Sequence, residues 1–217
     1  MITTLDIKGF KSVKDIHLDC KRINIFIGEP NTGKSNILEA LGFLSWCARG
    51  GSLKDYVRVD SARDLFYDGM MEKDGWRINL KLESKDAPLF IKAEISGNTH
   101  AFYGSDKTPF LYLLQAESVP MNAQKQFEFI RFYRFKTLTK FPDEAVGYLK
   151  TPDGSNLVSL LYSSKALRQL AADYFQNSGM TFVVKPHEKQ IELLKQSEGV
   201  AVSVPYHLSS DTLHWYY

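Results

Sequence analysis

Residues 22–41 read "RINIFIGEPNTGKSNILEAL", an apolar segment that enters a turn-rich loop and leaves it as a helical pattern. Within it, "GEPNTGKS" (28–35) satisfies GxxxxGK[ST], and each fixed position has a physical reason. Backbone N–H groups of such a loop and of the helix N-terminus behind it converge on phosphate oxygens, where the helix dipole adds a favourable field. Gly28 and Gly33 permit close backbone approach and unusual backbone angles. Lys34 is expected to reach the β and γ phosphates, and the Ser35 hydroxyl to ligate Mg²⁺. Asn31 tolerates positive φ better than most side chains, so it can stand where many such loops carry another glycine. The four fixed positions arise by chance in only about one chain in a hundred of this size. Here the context also fits, with an apolar strand expected before the loop and an amphipathic helix after it. The sequence therefore predicts a phosphate-binding loop made of Gly28, Glu29, Pro30, Asn31, Thr32, Gly33, Lys34, Ser35 and Asn36.

On the N-terminal side, "ITTLDIKG" and "VKDIHLD" read as strands separated by the turn "FKS", and "RINIFIG" reads as a third. The third is apolar enough for a buried central strand. After the loop, Ile37, Leu38, Leu41, Leu44 and Ala48 recur at helical steps, with Phe43 and Trp46 widening the stripe. Gly50 and Gly51 are expected to stop that helix, since glycine readily takes the left-handed conformation.

Residues 52–75 are charged and irregular. "WRINLKLES", "PLFIKAEISG" and "HAFYGS" then alternate apolar and polar side chains like an antiparallel meander, whereas 105–125 carry weak signals of loop or short helix. "QFEFIRFYRF" reads as a strand. Its aromatic residues interleave with Arg131, Arg134 and Lys136, a pattern that can make a base-stacking surface. Strand alternation would instead place Phe127, Phe129, Tyr133 and Phe135 on one face, as a buried sheet face requires, and that is the preferred reading.

Ser155 or Asn156 can cap a helix running to about Asn177, its apolar face supplied by Leu157, Leu160, Leu161, Leu167, Leu170, Ala171 and Tyr174. "TFVVKP", "KQIELLK" and "VAVSVPYH" follow as strands, and "LSSDTLHWYY" opens another expected helix. Ending on aromatic residues that favour burial, the chain reads as part of something longer.

The composition is that of a globular protein, 44% hydrophobic and 24% charged over 217 residues. It shows no apolar run of about 18 residues, hence no expected membrane span, and no secretory leader, which suggests the cytoplasm. A formal charge of +2 does not by itself announce a nucleic-acid partner. Cys20 and Cys47 have no CxxC spacing and are expected as buried thiols. The five histidines form no HExxH or Cys/His cluster, so no protein-ligated metal centre is expected.

"ITTLDIKGFKSVKDIHL" followed closely by "INIFIGEPNTGKSNILEAL" resembles the N-terminal half of ATP-binding-cassette heads of the RecF, SMC and OLD type. Those heads open with a strand, an aromatic-Lys/Arg-Ser turn like Phe10-Lys11-Ser12, a second strand, and a loop leading into "GKSN(I/L)LEA". "TPDGSNL" (151–157) looks like the turn before their helical lobe, and "YHLSSDTL" (206–213) is similar to their cassette signature. The resemblance implies an α/β P-loop NTPase of ABC-ATPase type, with a mixed central sheet, an antiparallel β subdomain and a helical lobe. Residues 1–150 would hold the P-loop core and the β subdomain, and 151–217 the helical lobe, strands and signature, the whole forming one unit truncated before the Walker B strand.

By the same resemblance ATP and Mg²⁺ are the cofactors, Lys11 approaches the nucleotide, and Ser209 contacts it in trans from a second copy of the head, an ATP-dependent homodimer. Asp211 departs from the glycine common in transporter signatures, and its charge near a phosphate needs a compensating partner. A gating glutamine is implied, for which Gln115, Gln124 and Gln126 are all suitably placed. A role in DNA metabolism or antiviral defence is implied, with the ATPase cycle acting on DNA or on a nuclease present as partner or attached domain. The family's catalytic carboxylates lie on a hydrophobic strand ending in Asp-Glu, which this sequence lacks. No catalytic residue is therefore assigned, and ATP hydrolysis is expected of the full-length protein and not of these residues alone.

Two readings from other classes stand beside this one. A P-loop phosphotransferase acting on a small molecule would need an acceptor lid and a downstream base, neither of which the sequence supplies. A nucleotide-free interaction module would leave the loop as a bare strand-to-helix turn.

Overall fold

The structure is a computed structural model that describes residues 1–67, 76–84, 88–96, 99–103, 109–111, 127–135, 138–197 and 199–205. The chain divides into two compact units, Met1–Phe132 and Tyr133–Tyr217.

In the first unit, β1 (Ile2–Phe10) and β2 (Val13–Asp19) form the expected hairpin, pairing Leu5 with Leu18 and Ile7 with Ile16. On its other edge β1 pairs with β3 (Trp76–Ser84), setting Leu5 opposite Leu82 and Ile7 opposite Leu80. β4 (Pro88–Ser96), β5 (Thr99–Tyr103) and β6 (Pro109–Leu111) extend the meander to a six-stranded sheet in the order β2-β1-β3-β4-β5-β6, antiparallel at every step. Period-two alternation brings Leu5, Ile7, Ile78, Leu80 and Leu82 into one buried core. The same core takes Ala40, Phe43, Leu44, Trp46 and Cys47 of α1 (Lys34–Arg49). Each large side chain so buried contributes about 1.5–3 kcal/mol. The helix stops at Gly50, φ 71°, whose N–H returns to the Trp46 carbonyl at 2.8 Å. Beyond it lie the short α2 (Leu53–Tyr56) and a 3₁₀ turn at Ala62–Leu65.

The buried face of α1 differs from the stripe read in sequence. Leu38 is exposed, and Glu39 is buried in its stead. The hydrophobic stripe was right for Ile37, Leu44 and Ala48 but could not show that a carboxylate would find cationic partners there.

"RINIFIG" is not a buried central strand. It pairs with no strand among the described residues, and Ile23, Ile25 and Ile27 are 75%, 77% and 90% exposed, while Phe26 between them packs against the core. Between the first two of them, the Asn24 side chain accepts from the Lys21 N–H at 2.8 Å and donates to the Lys21 carbonyl at 2.9 Å, closing a small turn. A central strand is buried by neighbours on both edges and both faces, and here those neighbours do not come from the described residues.

The aromatic segment also departs from expectation. Phe127 starts a tight turn, with the Ile130 N–H on its carbonyl at 2.9 Å, and no strand forms through residue 135. Phe127 and Ile130 are buried while Phe129 is half exposed. Side chains of α1 satisfy this backbone where a neighbouring strand would otherwise do so. Ser45 Oγ donates to the Ile130 carbonyl (3.2 Å) and accepts the Phe132 N–H (3.3 Å), and Arg49 donates to the Glu128 carbonyl (2.8 Å).

In the second unit, one expected helix is two, α3 (Leu157–Ser163) and α4 (Lys165–Gln176). Ser164 ends the first and caps the second, its hydroxyl accepting the Leu167 N–H at 3.3 Å. The new start turns Ala171 and Phe175 inward and leaves Leu167, Leu170 and Tyr174 facing solvent, against the sequence expectation. Phe175 stacks on Phe182, ring centroids 5.3 Å apart. β7 (Met180–Lys185), β8 (Gln190–Ser197) and β9 (Val200–Pro205) form the predicted antiparallel meander. Asn156 lies at the head of α3 without capping it. Its buried amide donates to the Ala145 and Tyr148 carbonyls, at 2.8 and 2.9 Å, and accepts the Lys150 N–H at 2.8 Å, holding the preceding loop in place.

Both sheets are antiparallel among the described residues, so the mixed sheet implied by the resemblance is not seen there. Cys47 is buried and Cys20 half-buried, both as free thiols. Burial pushes the Cys47 thiol far up, which keeps it protonated and inert. No helix among the described residues is long and apolar enough to cross a membrane.

Candidate functional site

The hairpin turn at residues 11–12, the loop 28–33 and the first turn of α1 meet at one place. Gly33 adopts φ 86°, ψ 3° and is the residue from which α1 springs. A side chain there would be strained by the backbone and would also meet Ser12 Oγ at 2.9 Å from its Cβ, so the position is open to glycine alone. Asn31 has φ 64°, the left-handed conformation anticipated for it. The Thr32 hydroxyl donates to the Glu29 carbonyl at 2.9 Å and so closes the loop across its own base.

Lys34 folds back over the loop. Its Nζ donates to the carbonyls of Gly28 (2.8 Å) and Glu29 and to the Thr32 hydroxyl (3.1 Å). All three acceptors are neutral, and no carboxylate of the described residues pairs with this ammonium. The first turn of α1 also carries no acidic residue. A lysine with no carboxylate partner among the described residues therefore stands beside the positive end of a 16-residue helix, where anions are stabilised. Gly28, Glu29, Pro30, Asn31, Thr32 and Ser35 are exposed. Ser35, as second residue of the helix, presents its hydroxyl to solvent at the same end. Exposed loop amides, a neutral-bound lysine and an accessible hydroxyl together are a donor set suited to a phosphate chain with its divalent cation.

Lys11 does not reach into the loop. Its Nζ donates to Glu39 Oε2 and to the Arg58 carbonyl, both at 2.7 Å, and Arg58 Nε donates to the other oxygen of Glu39. Ser12 lies against the loop itself, its hydroxyl accepting from Asn36 Nδ2 at 2.7 Å. Sequence reading did not single out Ser12, Glu39 or Arg58 as neighbours of the site. The available signal was Glu39 itself, an acidic residue four positions before Phe43 and so on the buried phase of the helix.

Ser209 and Asp211, the signature region as a whole, and Gln115, Gln124 and Gln126 lie outside the described residues. Among the described residues no group of three or more acidic, histidine or cysteine side chains could hold a metal ion.

Residues 1–132 match the AAA ATPase domain family. The DNA replication and repair protein RecF of Lactococcus lactis subsp. cremoris is 30% identical over 92 residues, a match covering 41% of this chain and 25% of RecF. The chain thus spans about a quarter of that relative's length. MJECL10, an uncharacterized protein of Methanocaldococcus jannaschii, is 27% identical over 176 residues, covering 70% of this chain and 77% of the relative. A solved chain from work on ATP-driven dimerization and DNA-stimulated activation of SMC ATPases has 17% identity and a TM-score of 0.42, covering 80% of this chain and 98% of its own. At that score the structural likeness decides nothing. The family match covers both the hairpin turn and the glycine loop, and with it extending over residues 1–132 of 217, the protein belongs to the AAA ATPase domain family.

Proposed function

We propose that this chain is a nucleotide-binding head which holds Mg-ATP at residues 28–36 and closes on a second copy of itself. The observation that carries this reading is the state of Lys34. Among the described residues its ammonium is held by neutral loop oxygens alone, so there an incoming phosphate displaces weak partners and no carboxylate has to be given up. The backbone N–H groups of Glu29 and of Asn31 through Asn36 surround the phosphates, and Ser35 Oγ is the protein ligand to Mg²⁺. The bound magnesium triphosphate supplies the phosphoryl group whose hydrolysis drives the cycle, while this chain's residues grip and orient it. Ser209 of a second head completes the site.

The exposed row Ile23, Ile25 and Ile27 supports a second element of the proposal. A further strand, bringing the catalytic carboxylates, lies beside this segment in the whole protein, and the 217 residues alone hydrolyse ATP little. The similarity to RecF, a DNA replication and repair protein, supports DNA as the object of the cycle; a nuclease partner and a cytoplasmic location are further parts of the proposal that rest on the sequence resemblance and the absence of a leader-like segment.

Isothermal titration with Mg-ATP tests the reading. The wild type is expected to bind, and Lys34→Ala to lose about a hundredfold in affinity while its melting temperature stays put. Absence of binding by the wild type at millimolar Mg-ATP overturns it.

A further inference from the structure

The hairpin turn lies against the phosphate loop and the start of α1. Adjacent turn residues Lys11 and Ser12 engage Asn36 and Glu39, which stand three positions apart on one face of α1. Lys11 adopts φ 52°, a conformation uncommon outside glycine, and the Phe10 and Val13 side chains on either side are buried. The turn is thus anchored on both flanks, and its backbone is pinned again by the Lys11 N–H on the Leu65 carbonyl at 2.9 Å.

Both carboxylate oxygens of Glu39 are engaged by cationic or amide donors. One oxygen takes Lys11 Nζ at 2.7 Å and the Arg58 N–H at 3.4 Å, and the other takes Arg58 Nε. Its carboxylate fastens the hairpin turn and residue 58 to the second turn of α1. One turn closer to the loop, Asn36 Nδ2 donates to Ser12 Oγ at 2.7 Å and ties this helix position to the hairpin turn. That hydroxyl in turn fills the space beside Gly33 that a side chain would need.

We infer that Ser12 and Asn36 are positioning residues for the nucleotide site. Their hydrogen bond, backed by the Lys11–Glu39–Arg58 cluster, holds Gly33 in its left-handed conformation and so aims the first amides of α1 at phosphate. The inference rests on the proposed function and deepens it, because it makes the hairpin turn part of the phosphate grip without a direct contact to the ligand. Removing either partner leaves the loop present but loosens the direction of its donors.

The test measures Mg-ATP affinity and ligand-free melting temperature on the same chain for wild type, Ser12→Ala, Asn36→Ala and Ser12→Thr. Ser12→Ala and Asn36→Ala are each expected to weaken Mg-ATP by about fivefold to tenfold, the worth of one hydrogen bond, with the ligand-free melting temperature nearly unchanged. Ser12→Thr keeps the hydroxyl and restores affinity to within about twofold of wild type. If both alanine variants bind as wild type does, the positioning role is overturned. It is equally overturned if affinity falls only in step with melting temperature and threonine brings no rescue, which is the signature of a purely structural contact. A wild type that takes no Mg-ATP brings down the nucleotide reading itself, a result distinct from both.

Discussion

Lys11 Nζ and Glu39 Oε2 lie 2.7 Å apart with side chains only 14% and 5% exposed, so the hairpin turn and the helix after the phosphate loop are joined by a buried ion pair. Removing one partner of such a pair strands the other charge away from water, at a cost of about 3–5 kcal/mol. Glu39→Ala is expected to lower the urea midpoint of the first unit accordingly. Arg58→Ala is expected to cost about 1 kcal/mol or less, since that side chain is half exposed and solvent screens its share. Equal losses for the two variants would mean that Lys11 is not the principal partner.

The isoleucine row before the loop gives the opposite expectation. With Ile25 and Ile27 at 77% and 90% exposure, Ile25→Thr and Ile27→Thr should change the stability of this chain by less than about 0.5 kcal/mol. The same changes should reduce self-association at high concentration, read by sedimentation velocity, because an uncovered apolar row invites contact. A stability loss above about 2 kcal/mol would show that these side chains are buried within the chain itself.

The face of α4 can be checked by a pair of truncations. Phe175 is fully buried and stacked on Phe182, and Phe175→Ala is expected to cost about 3–5 kcal/mol. Leu170, 66% exposed, should tolerate alanine within about 0.5 kcal/mol. Chemical denaturation followed by circular dichroism separates the two, and a reversed order would restore the apolar face read from the sequence.

Acid should loosen the loop before α3. Hydrogen bonds from Lys150 and then Ser155 hold the Asp143 carboxyl below the usual carboxylate range. A carboxyl whose folded value is depressed contributes stability that is present above its unfolded value, about 3.9. That contribution is lost as pH falls through the lower folded value. The urea midpoint of the second unit is therefore expected to fall on acidification below about pH 4, and to fall less in Asp143→Asn. Identical pH profiles for the two proteins would remove Asp143 as the cause.

Much of this was legible in one dimension because it depends on local chemistry. The hairpin strands, the meander and the terminal three-strand sheet follow from period-two alternation between turn residues, and each formed close to where its pattern placed it. The loop was legible for the same reason. Gly33 and Asn31 take positive φ as their residue types foretold, and Lys34 lies over the loop it closes. By contrast, an apolar run such as "RINIFIG" or "QFEFIRFYRF" fixes that a segment favours apolar surroundings, but not what covers it. In the first case Phe26 reaches the core while Ile23, Ile25 and Ile27 stay exposed, and in the second α1 side chains satisfied a backbone that looked like a strand.

By itself, then, the sequence determined the glycine loop's left-handed residues and the hairpin order, because backbone conformation and strand alternation are settled within a few residues. Only the tertiary structure decided that Glu39 goes inward, that Ser12 rather than Lys11 lies against Gly33, and that α4 buries Phe175 and exposes Leu170. Those choices turn on which distant groups arrive to satisfy a charge, fill a space beside a glycine or cap a helix. Separations such as the 28 positions between Lys11 and Glu39 leave no periodic trace in the chain.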